Sequence, residues 1–158
     1  MTDTTGDVAA DATARAAQTL AEQTARAMYA QDQASRMLGM SIVEVRPGYA
    51  RLKMRVREDM VNGHSICHGG LIFTLADSAF AFACNSYNLV TVASSGSIEF
   101  LRPGALGDEL TAEAQEVTRG RRTGIYDIVV TNQAGARVAL FRGRSHQFEG
   151  RQVHNPAA

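Results

Sequence analysis

Net charge is absent from the 158 residues, because sixteen Lys and Arg balance sixteen Asp and Glu. The chain therefore has no electrostatic footprint for nucleic acid or an anionic membrane surface. Its start has no basic cluster followed by an apolar run, only Asp3 and Asp7 among small residues, so no secretory signal is expected. The longest nearly apolar stretch, Gly69 to Cys84, is interrupted by Thr74, Asp77 and Ser78 and falls short of the roughly 20 residues of a bilayer span. Cysteine is scarce: Cys67 and Cys84 do not make a disulfide scaffold, and reduced thiols in a cytoplasmic protein are the expectation. Walker and dinucleotide glycine motifs are missing, and Ser94-Ser95-Gly96-Ser97 is not a GxSxG elbow. No cofactor is expected.

Hydrophobic residues make up 45% of the chain, enough for a packed core, and the length suits one domain. Residues 1–13 are rich in Ala, Thr and Asp with little to bury and read as a disordered leader; residues 14–150 form the domain, and residues 151–158 a C-terminal tail. Ala14 to Met37 lacks Gly and Pro and favours helix, ending at Gly39. Beyond it, Met40 to Val45 and Ala50 to Val56 flank the turn dipeptide Pro47-Gly48. In the second segment Ala50, Leu52, Met54 and Val56 alternate with Arg51, Lys53, Arg55 and Arg57, the period of a strand with one wet face.

GGLIFTLADSAFAFAC, residues 69–84, has the length and alanine content of a helix, and its apolar character on nearly every side predicts enclosure by protein. Four strand-like segments follow: Thr91 to Phe100, Glu109 to Val117, Gly124 to Thr131 and Arg137 to Phe148. Strands joined by short turns imply an antiparallel sheet, and an enclosed helix implies that the sheet wraps it, an α+β architecture. One sheet cannot cover such a helix completely, which points to a homo-oligomer.

Asp77 lies eight positions into this helix, where an unpaired charge is costly. It is either a structural carboxylate held by an arginine or neighbouring chain, or a base or nucleophile whose basicity rises as water is excluded. His68-Gly69-Gly70 opens the helix, where unpaired N–H groups and partial positive charge suit a developing oxyanion; equally, the two glycines permit tight packing. Nine residues separate His68 from Asp77, roughly 13 Å along a helix axis, so a site using both is shared between subunits. Asn62-Gly63 is by default an ordinary turn. His64, Cys67 and His68 share one short loop with no second ligand cluster, so no metal site is expected. Arg119, Arg121 and Arg122 surround Gly120, and Arg102 precedes Pro103-Gly104; such arginines are either solvated surface or grips for phosphate. Phe73, Phe80 and Phe82 either shape a pocket or are plain core.

Together, NGHSICHGGLIFTLADSAFAFACN with its Asn62, His68-Gly69-Gly70 and Asp77, and SIEFLRPGALGDEL from Ser97 to Leu110, resemble the hotdog-fold acyl-CoA thioesterases, in particular those of phenylacetate degradation. The resemblance covers about Met37 to Gln147. It implies a sheet wrapped around a long helix, dimers or dimers of dimers with active sites at the dimer interface, and hydrolysis of an acyl-CoA, an aromatic one such as (hydroxy)phenylacetyl-CoA, to free acid and CoA. Carried over, Asp77 is the base or nucleophile, and His68 and Gly69 polarise the thioester carbonyl, with Gly69 giving an oxyanion N–H. Asn62 places the attacking water. Gly70, Arg102, Arg119, Arg121 and Arg122 are the expected substrate-binding residues. Two alternatives stand beside this reading: a hotdog acyl-thioester hydratase or dehydratase, and a non-catalytic acyl-CoA-binding or assembly subunit.

Overall fold

Ala50, Leu52, Met54 and Val56, the apolar half of the alternating segment, are each at most 1% exposed. Their burial sets β2 (Tyr49–Arg55) with one face on the core, antiparallel to β1 (Ser41–Arg46). In the computed structural model, which describes residues 4–156, these strands begin a six-stranded antiparallel sheet. The other members are β3 (Leu89–Phe100), β4 (Glu109–Arg119), β5 (Thr123–Thr131) and β6 (Arg137–Gln152), in the order β1-β2-β4-β5-β6-β3. All pairings are antiparallel, and β1 and β3 are the two edges.

The sheet curls around α3 (Gly69–Asn85), as the sequence implies. Leu75, Ala76, Ala79 and Ala83 are completely buried against it. Close approach is enforced at Gly143 in β6, where a Cβ would stand 2.8 Å from the Phe80 ring. Enclosure is nevertheless incomplete. Gly70, Phe73, Thr74, Asp77, Ser78 and Ala81, spaced as one helix face, keep solvent contact, because a single curved sheet spans only part of a rod's circumference. The uncovered side adjoins β3, where Val92 and Phe100 are 45% and 53% exposed, as is Leu101 just beyond it at 47%.

The termini depart from expectation. The stretch read as a disordered leader is helical from Thr4 onward, forming α1 (Thr4–Gln31), while residues 1–3 lie outside those described. The segment extends the alanine-rich run that follows it, with Ala9, Ala10 and Ala12 favouring helix and Asp11 pairing with Arg15 one turn on at 3.0 Å, and the poverty in large side chains that suggested disorder only leaves residues 8–17 exposed. The first helix also stops earlier than Met37. Asp32 accepts hydrogen bonds from the Ser35 N–H (2.9 Å) and Oγ (2.6 Å), capping a separate short helix α2 (Gln33–Met37). At the other end, β6 continues two residues past Gly150. His154 then exchanges hydrogen bonds with Asn88, its N–H donating to Asn88 Oδ1 and its carbonyl accepting from Asn88 Nδ2, both at 3.0 Å. The tail is thus docked through His154. Among the described residues, no helix is long and apolar enough to cross a membrane.

Candidate functional site

The corner that opens α3 is built by two loops tied together. Val61 and Cys67 form an isolated bridge, Ile66 bridges Ala105, and the Cys67 N–H donates to the Gly104 carbonyl at 2.8 Å. The His68 N–H donates to the Met60 carbonyl at 2.8 Å, which sets the entry angle of the helix. His68 is the N-cap: its Nδ1 accepts from the Gly70 N–H at 3.0 Å, which places the ring proton on Nε2. The Leu71 and Ile72 amides donate to the His68 carbonyl. Of the first four amides of α3, therefore, only that of Gly69 has no acceptor among the described residues. One oriented N–H remains at the positive end of the helix. Gly70, expected to contact substrate, is exposed and has its amide taken by His68.

Gly69 borders an open cleft of about 300 Å³ together with Asn62, Cys67, Phe100, Arg102 and Gly104. Phe100 lies so close over Gly69 that a Cβ there would stand 3.0 Å from its ring. Asn62 fulfils the ordinary turn role, its Oδ1 accepting from the His64 N–H at 2.9 Å, but its Nδ2 has no partner among the described residues. Arg102 spans the cleft edge and donates to the Arg137 carbonyl at 2.9 Å. The structure thus brings Asn62, Gly69 and Arg102 to one opening.

Asp77 is elsewhere. It lines a second cavity, of about 430 Å³, with Met28, Phe80, Val90, Val92 and Val153 among its walls, and the two cavities share no residue. No hydrogen bond or ion pair reaches its carboxylate among the described residues, so no arginine of this chain described in the structure holds it, and of the structural reading only a contact from a neighbouring chain stays open. Burial alone pushes its carboxyl above the usual range. Asp77 is thus a half-buried carboxylate in an apolar cavity, without a partner among the described residues, while Gly69 lines the other cavity.

The remaining expected residues divide. Arg119, Arg121 and Arg122 lie at the β4–β5 turn, apart from both cavities. Arg119 stacks over the Tyr87 ring at 3.9 Å, while Arg121 and Arg122 pair with Glu149. Tyr87 and Tyr126 both donate to Glu116 Oε2 at 2.9 Å, and burial pushes the Tyr87 hydroxyl up to about 12. Phe82 is core, Phe73 packs edge-on against Phe141, and only Phe80 borders the Asp77 cavity. Cys84, beneath that helix face, is pushed up to about 12 by burial and is inert as a nucleophile. Among the described residues no group of His, Cys, Asp and Glu side chains is arranged to hold a metal ion. Sequence reasoning did not single out Phe100, Met28 or Val153 for the site; Phe100 reads as the end of a strand and Met28 as part of a helical apolar stripe, and only the fold carries each to a cavity wall.

This arrangement has known counterparts. The family described as Thioesterase superfamily matches residues 64–139, which include the helix-start corner and Asp77. The acyl-coenzyme A thioesterase PaaI of Escherichia coli is 52% identical over 128 residues, 81% of this chain and 91% of that protein. The solved structure of the E. coli PaaI protein, from the phenylacetic acid degradation operon, superposes with a TM-score of 0.83 at 50% identity, covering 85% of this chain and 97% of that one. A hypothetical thioesterase of Streptococcus pneumoniae, solved with coenzyme A, superposes with a TM-score of 0.69 at 30% identity, covering 72% and 88%. A sheet wrapped about a helix that opens at His68-Gly69 and carries Asp77 is the hotdog arrangement, and this chain belongs to the thioesterase superfamily as a thioester hydrolase.

Proposed function

We propose that the protein hydrolyses an acyl-CoA, with an aromatic acyl group of the phenylacetyl type, to free acid and CoA at a site shared by two copies of the chain. The observation that carries this reading is the separation of two unsatisfied groups: the Gly69 N–H in one cavity and the Asp77 carboxylate in the other. Each lacks within its own chain what the other supplies.

The edge strand offers the means of joining them. Strand β3 is twelve residues long with one unpaired side and exposed apolar residues, a surface that pairs readily with another edge. Asp77 shares a cavity with Val92, and Gly69 lies beneath Phe100. A two-fold antiparallel pairing of β3 with a second β3 centred on Gly96 sets Val92 opposite Phe100 of the second copy, since both are four residues from the centre. Asp77 then meets the Gly69 corner of the other copy.

In that site the thioester carbonyl oxygen accepts from the Gly69 N–H, which gains most as the carbon becomes tetrahedral and the oxygen negative. His68 Nε2–H and the free Asn62 Nδ2 are donors for the carbonyl and for water. Either Asp77 takes a proton from water as the water oxygen bonds to the carbonyl carbon and the C–S bond breaks, the proton passing to the leaving CoA sulfur, or Asp77 attacks that carbon itself, CoA leaves as the thiolate and is protonated by solvent, and water then cleaves the acyl-Asp77 anhydride to the free acid. Arg102, beside the Gly69 cleft, and Arg119, Arg121 and Arg122 are assigned to the CoA phosphates. The aromatic acyl group is supported by the apolar Asp77 cavity and by the likeness to a protein of a phenylacetic acid degradation operon. Two buried free thiols, Cys67 and Cys84, support a cytoplasmic setting.

Mixing Asp77→Asn with Gly69→Pro subunits, the latter without the N–H at the first position of α3, tests the shared site. Each variant alone lacks an intact site, whereas half of a randomised mixture is heterodimer with one intact site, giving about a quarter of the wild-type rate of thiol release. No recovery after verified subunit exchange places both groups in separate functions. Enoyl-CoA hydration without thiol release turns the reading to a hydratase, and CoA thioesters bound but intact turn it to a binding subunit.

A further inference from the structure

The Asp77 cavity has walls that come from outside the matched family region. Met28 belongs to α1 and Val153 to the C-terminal segment, and both flank residues 64–139. These walls are not loosely placed. Asn88, 2% exposed and held at φ 60°, clamps the tail through the reciprocal pair of hydrogen bonds with His154, and its carbonyl accepts from the Val153 N–H at 3.4 Å. The His154 ring extends the latch: Nε2 lies 3.1 Å from Oγ1 of Thr24, a fully buried residue of α1 whose hydroxyl donates to the Leu20 carbonyl at 2.8 Å. With the Thr24 proton given to Leu20, its oxygen is the acceptor and His154 Nε2–H the donor. The two terminal segments are thus fastened to each other one helical turn from Met28.

We propose that the latched terminal segments form an acyl-binding subsite, in which Met28 and Val153 close the cavity around Asp77 and set the largest acyl group admitted. The inference rests on the reading of Asp77 as the group that faces the thioester. A cavity of about 430 Å³ is within the range of small-ligand sites, and its walls are apolar apart from Asp77, Asn85 and Thr91. Asn85 spends its amide on the Thr91 backbone, donating Nδ2 to the Thr91 carbonyl at 2.8 Å and accepting from its N–H at 2.9 Å. The subsite therefore discriminates by shape and apolar contact, and it favours a compact aromatic or short aliphatic acyl chain over a polar or long one. His154 and Asn88 touch no substrate in this account; they are positioning residues that hold Val153 in the wall.

The experiment compares the full chain with Met28→Ala, Val153→Ala, His154→Ala and His154→Gln variants. Two readouts are taken: kcat/KM for thiol release from acetyl-, phenylacetyl- and lauroyl-CoA, and equilibrium affinity for the S-methyl and S-dodecyl thioethers of CoA, which cannot be hydrolysed. The lauroyl-to-phenylacetyl ratio is expected to rise at least about 10-fold in Met28→Ala and Val153→Ala, as for several methylenes of extra room. His154→Ala is expected to move the ratio in the same direction, and His154→Gln, which keeps a donor for Thr24, to restore it. A ratio unchanged in both wall variants, with folding verified by circular dichroism, overturns the subsite. If the wild type releases no thiol but binds the thioethers with the same wall-dependent selectivity, the hydrolytic reading of Asp77 falls and the subsite stands; thioether affinities that ignore the wall substitutions overturn the subsite in either case.

Discussion

Replacing Asp77 by Asn separates catalysis from stability, because the same burial that serves one harms the other. The carboxylate has no hydrogen bond or ion pair among the described residues, and burial is the cause that raises its pKa. Ionised Asp77 is therefore a cost to the folded state near neutral pH. The sign follows from linkage: a carboxyl whose pKa is higher folded than unfolded binds its proton more tightly in the native state, so stability rises as pH falls through the folded pKa towards 3.8 and is lost again as pH rises. Asparagine has nearly the same shape and no charge, so at pH 7 the variant should be the more stable. The carboxylate is only half-buried and partly screened, which holds the gain to about 0.5–1 kcal/mol, or about 1–4 °C in Tm for a chain of this length. Thiol release should fall at least about 10²- to 10⁴-fold, the loss of a positioned base. Melting curves from pH 8 to pH 4 should show the two proteins converging at the acid end. A variant less stable than wild type at pH 7 means that Asp77 makes a stabilising contact after all; a variant that retains hydrolysis removes it from the mechanism.

Other perturbations read different parts of the site. Gly69→Pro removes the N–H itself at the first position of α3, where proline is tolerated, and crowds only the half-exposed Phe100 ring, which can shift, so Tm should change by a few degrees at most while kcat falls about 10²-fold, measured by thiol release and thermal denaturation side by side. Arg102→Ala should raise KM for acyl-CoA with kcat nearly unchanged, as for uniform binding energy, and the same is expected on neutralising Arg119, Arg121 and Arg122; an unaltered KM leaves the latter as partners of Glu149 and Tyr87 only. Ser95→Lys combined with Ser97→Lys sets like charges opposite each other across the proposed β3 pairing, so sedimentation should show a shift to monomer with activity lost in parallel. Activity that persists in a monomer contradicts the shared site.

Much of the fold was legible from local pattern. The alternation from Ala50 to Val56 placed β2 on the core, and the length and alanine content of the largely apolar run from Gly69 identified α3, because periods of two and of 3.6 residues are properties of the chain alone. The termini were misread for the same locality. Residues 4–13 offer nothing to bury, which composition cannot tell from disorder, and Asp32 cuts the first helix in two through a side-chain bond to Ser35 that an apolar stripe does not reveal. Val153 and His154 read as a tail because their partners, Asn88 and Thr24, are more than sixty residues away.

For the site, the sequence by itself determined the chemical types: one carboxylate in an apolar helix, a glycine corner at its start and an asparagine before it, at a spacing too long for a single helix to close. Which amide of that corner stays free is a local outcome, decided when the His68 ring, two residues away, takes the Gly70 N–H and leaves Gly69 without an acceptor among the described residues. The placing of Asp77 in a cavity of its own is tertiary, walled by α1, β3 and the segment after β6, while Gly69 opens onto another. Charge, helix propensity and spacing are written residue by residue along the chain. Which cavity each of these groups faces is settled only when distant segments pack into the same space.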